Sequence, residues 1–368
     1  MTEDIRRTIG VDVGDKHTHV FVIEADGEVS EQTRIPTTPA SVERFFRRQP
    51  PSRVAMEVGG HSRWMSQAIL QLGHEVLVAN PRKLRAIFEN DKKTDRADAQ
   101  ILAEMARVRP ALLHPIRHRG PAAQQAVSLI RARDSLVRAR TLLVNHVRGV
   151  SKAFGARLPK CATGSLPKHQ AELPEAVQQI LAPLMRVVEE LTTQIRRYEW
   201  QVEQTARASF PETEPLRQVP GVGALTALAF VASLEDPNRF PSSRKVGSYL
   251  GLRPRLDSSG TLQKQLGISK SGDPYLRRLL VGSAQYILGP FGPDCDLRRW
   301  GLKLGQRGSK NAKKRAAVAV ARKLAVLLHA LWRSQQPYQR LLETGARPTT
   351  QAPSESVSTA LPSAPTTS

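Results

Sequence analysis

Only two cysteines, Cys161 and Cys295, occur in the 368-residue chain. That is too few for a disulfide framework or a cysteine zinc site, and a reducing cytosol fits them. Aromatic residues make up 5%, which argues against bases stacked on aromatic platforms as the main binding mode. No apolar run approaches the roughly 18 residues of a membrane-spanning helix. The opening MTEDIRRTIG lacks the apolar core of a signal peptide. Acids are scarce as well: 33 Asp and Glu stand against 55 Lys and Arg, a net charge of +22. A field of that sign favours a polyanion, and without a membrane segment the expected partner is nucleic acid. The length and a hydrophobic share of 40% suit two modest domains with connecting helices.

Five short strands are expected in the first eighty residues: Arg7–Gly14, His17–Ile23, Val29–Ile35, Val54–Val58 and His74–Ala79. Between them, Ala40–Arg48 and Ser62–Leu72 have helical spacing, with Thr37 or Thr38 as cap candidates. A three-strand meander followed by βαβ is the order of a ribonuclease-H-like sheet. Thr94–Val108 reads as a helix. Ala122–Gly155 and Leu173–Ala206 are long helical stretches joined by the Leu158–Leu173 turn. They suggest an antiparallel pair or a dimerising coiled coil. From Glu214 to about Arg340 the pattern is helical and glycine-punctuated, without strand alternation. The last 25 residues are Ser/Thr/Pro-rich and nearly chargeless, so disorder is expected there. The domains expected are therefore 1–115, a linker 116–210, a C-terminal helical domain 211–343, and a tail 344–368.

Four acids stand out: Asp12 in IGVDVG, Glu57 in AMEVGG, and Asp95 and Asp98 in DKKTDRADA. Asp12 and Glu57 sit among apolar strand residues, a costly place for an unpaired charge. Asp95 and Asp98 are three apart and share a helix face. If that helix packs beside the two strand ends, four carboxylates converge. Oxygen ligands of this kind suit magnesium, and two ions can clamp the attacking and leaving oxygens of a phosphodiester. The bland alternatives are a turn or edge residue for a strand Asp, and a solvated face or cap for the DxxD pair. Asp15 competes with Asp12, but its place after Gly14 suggests a turn.

Further on, Leu216–Leu234 reads as helix, Pro-Gly-Val-Gly turn, helix, the logic of a helix-hairpin-helix. Gly221 and Gly223 would free backbone N–H groups to hold a phosphate. The polar stretch Tyr249–Lys270 carries Ser258 and Ser259, flanked by Arg253, Arg255, Lys264 and Lys270. A serine hydroxyl can attack a phosphodiester and conserve the bond energy in a phosphoserine, while guanidinium groups stabilise the developing charge. A serine beside glycine is otherwise most often a turn residue. Arg117–Lys160 carries ten Lys/Arg and one acid, and Leu297–Ser334 eleven and none. Runs this one-sided need a polyanion. Within Asn311–Trp332, Ala316, Val320, Leu324 and Leu327/Leu328 form one face, leaving the basic residues for phosphates. Arg277, Arg278, Lys310, Lys313, Lys314 and Arg315 are the further candidate contacts.

The motifs GVDVG, MEVG, KTDRADA, VPGVG, YLGLRPR with its following SG, and SKSGDPYLRRLL occur in this order between about Thr8 and Leu341. Each is short, but together they resemble the insertion-sequence-110 family of bacterial transposases, also known as bridge-RNA recombinases. The resemblance implies an N-terminal RuvC-like domain, a dimerising helical linker and a C-terminal transposase domain with an essential serine. It implies that Asp12, Glu57, Asp95 and Asp98 bind metal and that Ser259 is the nucleophile, with Ser258 the fallback. It further implies donor and target DNA, a guiding noncoding RNA, a dimer or a pair of dimers, and action at the bacterial nucleoid in the cytoplasm. Carboxylates of one subunit would meet the serine of another. Two rivals are a RuvC-like junction nuclease that needs no serine and a non-catalytic basic binding protein. A sugar kinase of the actin-like fold would need a second glycine-rich phosphate loop, which the chain lacks.

Overall fold

The computed structural model describes residues 7–81, 94–259, 262–306, 308 and 311–341. Lys310 and the tail 344–368 lie outside them. The chain divides into two compact units, Met1–Arg119 and Gly120–Ser368.

The first unit is built on a five-stranded sheet. Its strands are β1 (Thr8–Val13), β2 (His17–Ile23), β3 (Val29–Pro36), β4 (Arg53–Glu57) and β5 (Glu75–Ala79). Their order is β3-β2-β1-β4-β5, with β1–β2–β3 antiparallel and β4 and β5 parallel to β1. This is the meander-then-βαβ order expected. One face is covered by α1 (Pro39–Arg47) and α2 (Ser62–Gln71). Ile9, Val11, Val22 and Met56 bury there against Phe45, Phe46 and Met65. The other face is covered by α3 (Asp95–Val108), through Phe21 and Ile23 against Ala99 and Ala103. Successive strand residues alternate between the two faces. Thr38 caps α1 by accepting from the Ser41 amide. Thr94 caps α3 in the same way from Ala97, so it is Thr94 rather than Asp95 that closes this terminus.

The second unit is mainly helical. In α4 (Pro121–Ala153) and α5 (Glu175–Ser209) it has the long pair expected. The helices run antiparallel: Arg133 pairs with Glu199, and seven residues on, Arg140 donates to Thr192. Then follow α6 (Glu214–Arg217), α7 (Ala224–Leu234) and α8 (Ser243–Tyr249). After a β-hairpin, the chain closes with α9 (Pro274–Leu288), α10 (Asp296–Gly305) and α11 (Ala312–Ser334). Helix α7 is apolar all round and buried from Thr226 to Leu234, so it is the central core helix. On α11 the expected apolar face is buried at Ala316, Val320, Leu324 and Leu328.

The hairpin corrects the expectation of an all-helical C-terminal region. Strands β6 (Pro254–Ser259) and β7 (Leu262–Ile268) pair antiparallel. β6 opens on proline and ends Asp-Ser-Ser, so it shows no apolar alternation. In β7, however, Leu262, Leu266 and Ile268 fall on alternate positions.

Two buried histidines make stability pH-dependent. His74 Nδ1 accepts from the Ser52 amide, and its Nε2–H donates to Phe46 O. His329 bridges Ser243 and Pro237 O. Burial lowers both below the ordinary 6.5. The folded histidines stay neutral when the unfolded chain begins to take up protons. Their stability contribution is therefore full above about 6.5 and is lost as pH falls below it. Each contributes a slope of up to about 1.4 kcal/mol per pH unit in that window. Thermal melting followed from about pH 7.5 to about pH 5.5 should show a falling midpoint, which His74→Leu makes shallower.

Candidate active site

Carried one residue past the Val11–Met56 pair, the parallel register of β1 and β4 sets Asp12 beside Glu57. Gly10 and Ala55 are themselves a register pair, so Gly10, Asp12, Ala55 and Glu57 share one face. That is the face under α3. A Cβ on Gly10 would lie 1.9 Å from Ala99 O and 2.6 Å from Ala103 N, so only glycine allows the helix this close. Ala55 packs with Leu102 and Ala106, and Arg53 donates to Ala106 O at 3.4 Å. From Arg53 towards Glu57, then, α3 runs backwards from Ala106. Its first turn, carrying Asp95 and Asp98, arrives at the Asp12–Glu57 end. His19, the β2 partner of Asp12, confirms the placement with Nε2 at 3.9 Å from Asp95 Oδ2.

Four acids from three elements thus share one face and one end of the sheet. Asp12, Glu57 and Asp98 are half-buried and Asp95 is exposed. The helix dipole favours the two on α3. Among the described residues, no three His, Cys, Asp or Glu stand close enough together to enclose a metal ion.

One pair at this edge was not legible as a contact. Asp15, in the turn after β1, accepts from His61 Nε2 at 3.4 Å, and Trp64 Nε1 donates to His61 Nδ1 at 3.0 Å. The contact joins the loops leaving the two acid-bearing strands. Its only signal in the sequence is that GDKH and GGHS each begin two residues after a strand acid. Nearby, His118 meets Ser62 Oγ at 3.3 Å. Burial, then the charges of Arg63 and Arg119, hold it below its ordinary value.

In the second unit, Ser258 and Ser259 end β6, with backbones paired to Gln263 and Leu262. The base of this hairpin is stitched tightly. Lys270 N donates to Gly251 O and Ser269 N to Arg253 O, at 3.1 and 2.9 Å. Gly251 and Gly272 both have positive φ, 70° and 78°. Arg277 Nη1 spans the two stems, donating to Leu250 O and Ser271 O at 3.1 and 2.9 Å. Asp273 caps α9, its Oδ1 accepting from the Tyr275 and Leu276 amides, and both its oxygens also accept from Arg131 Nη2, at 2.9 and 2.6 Å. Arg278 pairs with the buried Asp134 and stacks on Tyr275, 4.8 Å from the ring centroid. Burial, and then Asp134, raise the Tyr275 phenol.

Arg277 and Arg278 therefore hold the fold around the hairpin. The remaining basic candidates, Arg253, Arg255, Lys270, Lys313, Lys314 and Arg315, are exposed. Gly221 and Gly223 form the turn between the single-turn α6 and α7, at an open cavity of about 640 Å³.

Two family models match the chain, the first running from the first unit through α4 of the second. Residues 9–153 match the DEDD transposase profile of IS110, and residues 213–293 match the transposase IS116/IS110/IS902 family. The chain is 36% identical over 311 residues to a probable family 20 transposase of Pseudomonas aeruginosa, covering 82% of this chain and 89% of that one. It is 33% identical over 301 residues to the transposase for insertion sequence element IS1111A of Coxiella burnetii, covering 78% and 79%. With the transposase for insertion sequence element IS1328 of Yersinia enterocolitica it shares 32% over 285 residues, covering 76% and 83%.

Proposed function

Since the chain belongs to the IS110/IS116 family of insertion-sequence transposases, we propose that it excises and inserts its element through a metal-assisted serine nucleophile. The observation that carries this reading is the gathering of Asp12, Glu57, Asp95 and Asp98 at one end of the sheet. An all-oxygen donor set is the kind magnesium takes. No three of them are close enough here to enclose an ion; drawn together on the substrate, these four residues would hold two ions, whose charge offsets that of the reacting phosphate.

Ser259 Oγ attacks the phosphorus and loses its proton to water, while the departing strand oxygen takes one up. A covalent phosphoserine results, and a hydroxyl of the partner strand reverses the step, releasing the serine. Arg253, Arg255 and Lys270, exposed around the hairpin, bind the flanking phosphates. Donor and target DNA are the substrates, and a noncoding bridge RNA selects the target. Leu142, Ile180 and Trp200, exposed on the long helix pair, support a dimer or tetramer. No described helix is long and apolar enough to cross a membrane, and the proposed place of action is the bacterial nucleoid.

The test is a denaturing gel with end-labelled element-junction DNA, magnesium and the RNA transcribed from the element's flank. Wild type should yield a protein–DNA adduct and Ser259→Ala none. Cleavage without an adduct, unchanged in Ser259→Ala, would make the protein a metal-dependent nuclease. Binding without cleavage in either would leave a nucleic-acid-binding protein.

A further inference from the structure

Phe291 is 84% exposed, the most exposed large hydrophobic side chain among the described residues. It is also held still. In Gly289-Pro-Phe-Gly292 the amide of Gly292 donates to Gly289 O at 3.2 Å, a β-turn with Pro290 and Phe291 at its corners. Arg298 Nη1 clamps the turn from behind, donating to Ile287 O at 2.5 Å and Gly289 O at 2.6 Å. A Cβ on Gly292 would lie 2.2 Å from Ile287 O, so this backbone has no slack with which to fold the ring inward. The turn borders the open cavity of about 640 Å³, which Pro293, Tyr286, Gly221, Arg217, Arg278 and Arg340 help to line. Tyr286 is half exposed and lies against the Gly221 turn, its Cδ1 3.1 Å from where a Cβ would stand.

We propose that Phe291 is a stacking finger for an unstacked DNA base, set beside a cavity that takes the adjoining phosphate. The proposal rests on the transposase reading above for its substrate. A ring carried on a backbone turn that is already fixed loses less entropy on binding than one on a mobile loop. The neighbouring cavity sets the guanidinium groups of Arg217, Arg278 and Arg340 beside the ring of Tyr286 and apolar Val222 and Leu279, a mixture that suits the face of a base next to a phosphate. The net charge of +22 is complementary to such a ligand. In an intact duplex the base faces are already covered. The finger therefore engages bases freed at a strand end or a kinked step, as strand exchange produces them.

The experiment measures affinity of the full chain for a labelled single-stranded DNA and for its blunt duplex, across a salt series. Phe291→Ala should weaken single-strand binding by about 10-fold or more and duplex binding less. Phe291→Trp should restore it. The slope of affinity against salt should be unchanged in Phe291→Ala, since no phosphate contact is lost, but reduced by about one in Arg340→Ala. Wild-type affinity of Phe291→Ala for both DNAs would overturn the proposal. So would a change of oligomeric state in sedimentation with single-strand affinity intact, because the ring would then be a protein contact. Failure of the transposase reading shows separately, as absence of a covalent adduct from wild type.

Discussion

Gly10→Val should unfold the first unit, and with it abolish adduct formation. The position is fully enclosed, and its would-be Cβ meets backbone atoms of α3, at 1.9 Å from Ala99 O and 2.6 Å from Ala103 N. A flexible side chain can turn away from such an intrusion, but a helix backbone moves only as a whole. Displacing α3 uncovers Phe21, Ile23 and Ala55 and withdraws Asp95 and Asp98 from the Asp12 end. Overpacking an ordinary core position costs about 1–3 kcal/mol, and contact with rigid backbone places this substitution beyond that range. Even Gly10→Ala should lower the melting midpoint by roughly 10 °C. Gly59→Ala is the control. It lies two residues after Glu57 with nothing within 4 Å of its Cβ position, and should melt as wild type. Circular dichroism on the three variants and wild type decides the matter.

At Gly251 the loss should reach adduct formation. Its φ is +70°, and a Cβ would lie 2.1 Å from Ser271 O and 2.4 Å from Ser271 N. Gly251→Ala must therefore spread the two stems at the hairpin base, where Arg277 and the Lys270 amide stitch them. Leu250 and Leu252, on either side of Gly251, are buried in the same core as α7, α9 and α11, so the melt of Gly251→Ala, followed by circular dichroism, should also fall, and the adduct rate is read well below that melt. A serine carried on a tilted hairpin is misplaced, and misplacement by about 1 Å costs on the order of 100-fold in rate. Single-turnover adduct formation should fall by that order. Gly267→Ala, on the same hairpin with open space at its Cβ position, should form adduct at the wild-type rate. Equal rates in both variants would separate the hairpin base from the reaction.

The parts of the fold that were legible are those with local signals. Strands β1, β2, β4 and β5 follow from short apolar runs between turns, and α3 from Thr94 followed by helical spacing. Asp12 and Glu57 could be singled out because each interrupts such a pattern, and Asp95 and Asp98 because their spacing puts them on one helix face. What sequence cannot express is the spacing across strands. The approach of α3 to Gly10 depends on two elements some ninety residues apart, and the Asp15–His61 contact joins two turns that each look ordinary alone. Hairpin β6–β7 was hidden because β6 has no apolar face to alternate. Arg277 and Arg278 look like phosphate ligands in any basic run, and only the positions of Leu250, Ser271 and Asp134 reveal what they hold.

The long helix pair also acts as a spacer. Ala126 and Ala206 belong to the C-terminal core, whereas Val147 and Met185 belong to a separate apolar cluster at the far end of the same two helices. The span from Ala126 to Val147 is about 32 Å at 1.5 Å per residue, close to the roughly 34 Å of one turn of B-form DNA. The apolar cluster at the tip of the arm is therefore held from the core by about the length of one duplex turn. Removing two matched turns from the middle of both helices would shorten that reach by about 11 Å and leave both clusters whole.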